Sequence, residues 1–240
     1  MKYEVYYCPD EYYEENIIEV ESKKEHSNYL YSQCPVWGHR FDRTFTGYSP
    51  IDFEINFSDL ENKKIHFAEG DQEFETIDIN DCLDHGDTYQ GKYFYFDLND
   101  IMNEHPVVQL GFISSLIWTN FDQEYLWFDF SDHPMTSYQN NFFAIGGWFN
   151  IANHPRTSSL AIKVLDLSKS VKILKGDPLY RVRFYTEDLN DNPVLIKKKS
   201  PEGLRENMKH RQQMLNGDNK FLKKILFEKD IRKQCPYHNQ

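Results

Sequence analysis

The sequence has no cysteine pair close enough to read as a metal or redox motif. Its four cysteines, Cys8, Cys34, Cys82 and Cys235, lie far apart and none forms a CxxC. The start, MKYEVYYCPDEYYEEN, turns acidic at once and carries no apolar signal region. Free thiols in a reducing compartment are therefore expected rather than disulfides. No apolar run approaches the roughly 18 residues that a membrane-spanning helix needs, so no membrane association is expected. Alanine is scarce, which weighs against a helical body. A Gly-x-Ser-x-Gly nucleophile elbow is missing, and so is a phosphate loop, since Gly146-Gly147 sits inside a strand-like run and opens no helix. Carboxylates number 38, so a pair placed for acid–base work would arise by chance and identifies nothing.

Aromatics are abundant instead: 18 Phe, 16 Tyr and 4 Trp in 240 residues, more than a disordered chain carries. That length suits one large β domain or two small ones, with about three quarters of the unfolded surface buried. Ile51 to Phe57 alternates strictly, with Ile51, Phe53, Ile55 and Phe57 on one face. Lys64–Phe67, Thr76–Ile79, Tyr93–Leu98, Ser159–Leu167 and Val171–Leu174 repeat the pattern between Gly, Asn and Asp turns. Leu179 to Tyr185 places Tyr180, Val182 and Phe184 inward and Arg181 and Arg183 outward. Val107–Thr119 and Glu124–Phe130 flank a short polar link and read as two long strands joined in a hairpin. Asn141 to Asn150 reads as a strand whose glycine pair marks a bulge or the close approach of another backbone. The expected fold is mainly β: an antiparallel β-sandwich or jelly-roll-like domain over residues 1–195, followed by a C-terminal α-helical arm over 196–240.

The arm differs in charge as well as in pattern. From Lys197 to Gln240 twelve Lys and Arg face five Asp and Glu, a local +7, whereas the other 196 residues carry −18. Such a body repels polyanions, so nucleic acid is not an expected partner for it. Ser200-Pro201 offers a helix start, Leu204, Met208, Gln212 and Leu215 follow at helical spacing, and Asn216-Gly217 ends that helix. Asp218 then caps a second helix whose stripe includes Phe221 and Ile225 beside Lys220, Lys223 and Lys224. The plainest expectation is that the basic arm lies on its own acidic body, and an apolar stripe combined with basic charge equally suits docking onto a partner protein or another copy of the chain. The lack of a Trp anchor in the stripe argues against a membrane surface.

Two metal sites are conceivable. Cys34 with His39 and Cys235 with His238 each pair a thiol and an imidazole behind a Cys-Pro turn, and together they would make a tetrahedral zinc site. His85-Gly-Asp87 is the first half of an iron-binding facial triad, for which His133 or His154 would supply the second imidazole and Arg181 or Arg183 the grip on substrate. An isolated His-x-Asp beside glycine is ordinarily turn chemistry, so no cofactor is expected beyond the zinc alternative. Tyr6-Tyr7, Tyr12-Tyr13, Trp118 with Trp127, and Trp148-Phe149 would suit a sugar or base platform, although aromatics at strand spacing ordinarily fill a core. Arg181 and Arg183 are expected in cross-strand ion pairs rather than in an anion site.

Cys34-Pro-Val-Trp37, Tyr48-Ser-Pro-Ile-Asp-Phe53, Trp118-Thr119, Ile145-Gly-Gly-Trp-Phe-Asn150 and Lys175-Gly-Asp-Pro178 give the chain a resemblance to a group of uncharacterised proteins. These are encoded by large tailed bacteriophages, marine ones especially, with relatives of unknown function in bacteria. The resemblance covers about residues 30 to 186 and omits the arm. It implies a viral or bacterial origin, with the host cytoplasm or the virion as the location, and brings no activity or site residues with it. Absent catalytic spacing and the opposed charges of body and arm together lead to an expected non-enzymatic protein acting through protein–protein contact or assembly. A double-stranded β-helix iron enzyme and a sugar- or nucleotide-binding module are the alternatives.

Overall fold

In the computed structural model the described residues are 3–9, 17–20, 34, 42–82, 88–119, 126–133, 136, 139–151, 156–188 and 190–199. They form, in chain order, strands β1 (Tyr3–Pro9), β2 (Ile17–Val20), β3 (Thr44–Tyr48), β4 (Phe53–Asn56), β5 (Lys64–Glu69), β6 (Glu75–Asp78), β7 (Thr88–Gln90) and β8 (Phe94–Asp97). Next come β9 (Val107–Thr119), β10 (Leu126–Asp132), β11 (Phe142–Ile145), β12 (Gly147–Asn150), β13 (Arg156–Val164), β14 (Val171–Ile173), β15 (Pro178–Thr186) and β16 (Pro193–Lys197). Among the described residues helix is confined to single turns such as Leu98–Ile101, where the Asp97 side chain accepts from the Asn99 N–H. The protein is mainly β, as the aromatic alternation requires.

Among the described residues three sheets share one core. The first runs β11-β13-β9-β1-β16, with β8 and then β7 added beside β9; the second runs β12-β10-β15-β3-β2; the third runs β14-β4-β5-β6. Val5 and Val108 from the first, Phe128 and Val182 from the second, and Phe53 and Ile55 from the third belong to the same buried cluster. Ridding these side chains of water is the main drive to fold, at about 25 cal/mol per Å². Within that cluster Phe53 packs against Phe112 with ring centroids 5.0 Å apart, joining the third sheet to the first. Among the described residues all pairings are antiparallel except β1 with β16, which run parallel from Tyr3 beside Pro193 to Tyr7 beside Lys197.

The strand alternation around residue 53 and around residue 182 is as the sequence requires. Phe53, Ile55 and Phe57 are buried, and so are Tyr180, Val182 and Phe184. The expected hairpin between Val107–Thr119 and Glu124–Phe130 does not form. β9 pairs with β13, β1 and β8, whereas β10 lies in another sheet between β12 and β15. Two apolar strands close in sequence satisfy their inner faces equally well from opposite layers of one core, and here that arrangement wins.

The glycine pair has the expected effect. β11 and β12 are one run of chain that leaves the first sheet and enters the second at Gly146. A Cβ at Gly146 would overlap the Phe130 carbonyl oxygen of β10, so only glycine lets the two backbones come this close. The Ala144 N–H at the corner donates to Asp132 Oδ1 at 3.0 Å, which pins β11 to the end of β10.

Candidate functional site

The corner strand sets out an apolar strip on one side. Phe142 and Ala144 of β11 point into the core, which turns Phe143 and Ile145 outward with 49% and 38% of their surface exposed. Leu165 follows β13 and is 42% exposed, and its N–H bonds the Asn141 carbonyl at 3.2 Å, which places it across from Asn141 and one step along the margin from the Phe143–Lys163 pair. Asn141 fixes this margin. It sits at φ 64°, and its side-chain amide donates to the Asp166 and Lys169 carbonyls at 2.7 and 2.8 Å while accepting from the Asp166 N–H at 2.9 Å. Three apolar side chains are thus held in water by rigid elements.

Past the corner the chain presents Trp148 on the outer face of the second sheet. Trp148 is 54% exposed and packs on Trp127, which is 7% exposed, with ring centroids 4.6 Å apart at 40°. Strand register puts Trp148 of β12, Asp129 of β10, Arg183 of β15 and Thr44 of β3 in one cross-sheet row. Arg183 Nη1 lies 3.4 Å from Asp129 Oδ2 and donates to the Tyr185 hydroxyl at 3.0 Å, and its Nε reaches Thr44 Oγ1 at 3.3 Å. The expected cross-strand ion pair of Arg183 is therefore present. Trp118, the other tryptophan considered for a platform, is buried against Tyr6 and Cys8.

The buried polar groups serve the interior. His133 is buried with Thr136 Oγ1 3.2 Å from its Nδ1. Burial first, then the charge of Arg181, pushes its pKa down to about 4 against the opposing pull of Asp132, so it is neutral at physiological pH. Arg43 is buried and donates to Thr186 Oγ1 at 2.8 Å and to the Asp191 carbonyl, tying β3 to the connector that leads into β16. A shallow cleft of about 580 Å³ lies between β6 and β7, lined by Ile77, Asp78, Asp81, Thr88 and Tyr89.

Of the residues expected to hold metal, Cys34 is described and exposed, while His39, Cys235 and His238 lie outside the described residues, as do His85, Asp87 and His154. Lys220, Phe221, Lys223, Lys224 and Ile225 of the expected arm are likewise outside them. Among the described residues no group of three or more His, Cys, Asp or Glu is arranged to hold a metal ion, and no helix is long and apolar enough to cross a membrane. Cys8 is buried, with its Sγ 3.6 Å from the Pro9 carbonyl oxygen, whereas Cys34 is exposed. No protein-family model matches the chain, and no curated protein is significantly similar to it.

Proposed function

We propose that this chain is a non-enzymatic protein that works through protein–protein contact and assembles with copies of itself. The observation that carries the reading is the strip of Phe143, Ile145 and Leu165, exposed together at the margin of the first sheet and held there by Asn141 and Asp132. Large apolar side chains grouped on a rigid surface mark contact sites, because water is released when a partner covers them. Copies of a chain with net charge −11 repel one another over most of their surface, so a strip in which the exposed Lys163 stands directly across from Phe143 is where they approach most easily. The residues after β16 supply the second contact in this reading: a basic helical arm with Lys220, Phe221, Lys223, Lys224 and Ile225 along its docking face, drawn to the acidic body of a neighbour.

The three sheets around one core fit a β-sandwich or jelly roll, an architecture suited to building assemblies. The resemblance to tailed-phage proteins fits a component of a virion or of the infected host's cytoplasm. Sedimentation of the full chain over a range of concentrations tests the reading. The double variant Phe143→Ser, Ile145→Ser and removal of residues 200–240 are each expected to lower the assembled mass towards that of one chain. A wild-type mass of one chain at all concentrations overturns it, as does a mass that neither change lowers.

A further inference from the structure

We propose a second, separate site: the outer face of the second sheet binds a neutral sugar ring, with Trp148 as the platform and Asp129, Arg183 and Tyr185 as hydroxyl partners. The face has the two parts that such a ligand needs, side by side. A pyranose has one face of C–H groups and a rim of hydroxyls, each both donor and acceptor. Trp148 supplies an apolar surface that is half open to solvent, and Trp127 beneath it is anchored in the sheet, so little side-chain freedom is lost on binding. Asp129 stands directly across from Trp148, and Arg183 directly across from Asp129.

Their contacts leave capacity for a ligand. The carboxylate accepts at several positions and the guanidinium has five N–H donors, yet the Asp129–Arg183 contact is a single one at 3.4 Å and the Tyr185 hydroxyl reaches Asp129 only at 3.5 Å. A carboxylate and a guanidinium at neighbouring positions match adjacent hydroxyls, one accepting and the other donating.

Charge selects the ligand class. Arg183 is already neutralised by Asp129, so the row offers no net charge to an ion. A nucleotide would stack on Trp148 equally well, but its phosphate meets a chain of net charge −11. The match is to a neutral polyhydroxyl ring. Phe143 and Ile145 lie on the first sheet, so this site and the assembly strip vary independently.

The experiment uses the full chain with methyl glycosides of glucose, galactose, mannose and N-acetylglucosamine, their linear oligomers, and adenosine monophosphate as the anionic stacking control. Saturation-transfer NMR reads which ring protons touch the protein, and tryptophan emission gives the affinity. At least one neutral sugar is expected to bind through its C–H face. Trp148→Ala should weaken binding at least tenfold and Asp129→Asn severalfold; because Trp148 covers Trp127 and the ion pair is partly buried, binding is measured well below each variant's own unfolding midpoint. The Phe143→Ser, Ile145→Ser variant should bind sugar as the wild type does, whatever its assembly state. The proposal is overturned if no sugar in the panel binds, if binding survives Trp148→Ala, or if adenosine monophosphate binds more tightly than every sugar.

Discussion

The ring of Tyr180 on β15 lies flat over Gly47 on β3, so close that a methyl group in place of the glycine hydrogen would overlap three ring carbons. The same ring stacks on Phe130 of β10 with centroids 4.6 Å apart at 22°. One aromatic side chain therefore covers the inner face of three neighbouring strands, with glycine supplying the space and tyrosine filling it. Its hydroxyl is buried and has no hydrogen-bond partner among the described residues, and burial pushes its pKa up.

That geometry separates ring from hydroxyl. Gly47→Ala is expected to destabilise the protein by about 1–3 kcal/mol through overpacking. Tyr180→Phe is expected to be neutral or to stabilise by about 1 kcal/mol, because it removes a polar atom buried without a partner. Urea unfolding midpoints of the two variants check both. A loss above 1 kcal/mol in Tyr180→Phe would mean that the hydroxyl is satisfied in solution.

His133 makes stability depend on pH in one window. Its folded pKa of about 4 lies below the ordinary value of about 6.5 for an unfolded chain. Above pH 6.5 it is neutral in both states and stability is complete. As pH falls from 6.5 to 4 the unfolded chain takes up a proton that the fold refuses, and the loss reaches on the order of 3 kcal/mol. His133→Phe should flatten the stability profile between pH 7 and 4.5. Asp166, held down to about 2 by Ser168 and Lys169, acts only at lower pH, so the two windows do not overlap. A slope unchanged by His133→Phe would assign the acid sensitivity elsewhere.

Arg43 ties the end of the chain's β region to β3. Burial lowers its pKa, opposed by Asp191, Asp188 and Asp42, and its guanidinium bonds Thr186 and the Asp191 carbonyl at once. Lysine has no such fork, so Arg43→Lys is expected to cost about 2–3 kcal/mol, close to the loss for Arg43→Ala. Amide exchange should accelerate first in β16 and in its parallel partner β1. Uniform acceleration across all three sheets would show that the clasp is not local.

Facing was legible in the sequence where neighbours were not. A two-residue period places Phe53, Ile55, Val182 and Phe184 inside whatever strand lies beside them. It does not say that Leu116 pairs with Cys8 and Thr157, or that Phe128 pairs with Phe149 and Phe184. Those choices depend on packing across the whole core, which is why the β9–β10 hairpin failed and the β1–β16 pairing went unforeseen. The site was half legible. Arg183 facing outward into a cross-strand pair follows from alternation and an acidic body, and Trp118 and Trp127 are buried as strand aromatics ordinarily are. Trp148 departs from that rule because Gly146 carries the strand from one sheet to the next. The signal was the glycine pair directly before the tryptophan.

Asn141 ties the strip to the rest of the fold, and its conformation makes the test sharp. At φ 64° its backbone is one that glycine adopts most easily and that asparagine tolerates better than most residues. Asn141→Gly therefore relieves the backbone but removes all three side-chain bonds to residues 166–169, while Asn141→Ala loses the bonds and keeps the strain. If the bonds dominate, both variants lose about 2–4 kcal/mol, with the glycine variant the more stable by about 1 kcal/mol. Both should also loosen Leu165, whose N–H bonds the Asn141 carbonyl, so the assembled mass should fall with Phe143 and Ile145 unaltered. Unfolding midpoints and sedimentation mass measured on the same samples separate the two effects. Lowered stability with unchanged mass would leave Asn141 a purely structural clamp and would remove Leu165 from the contact surface.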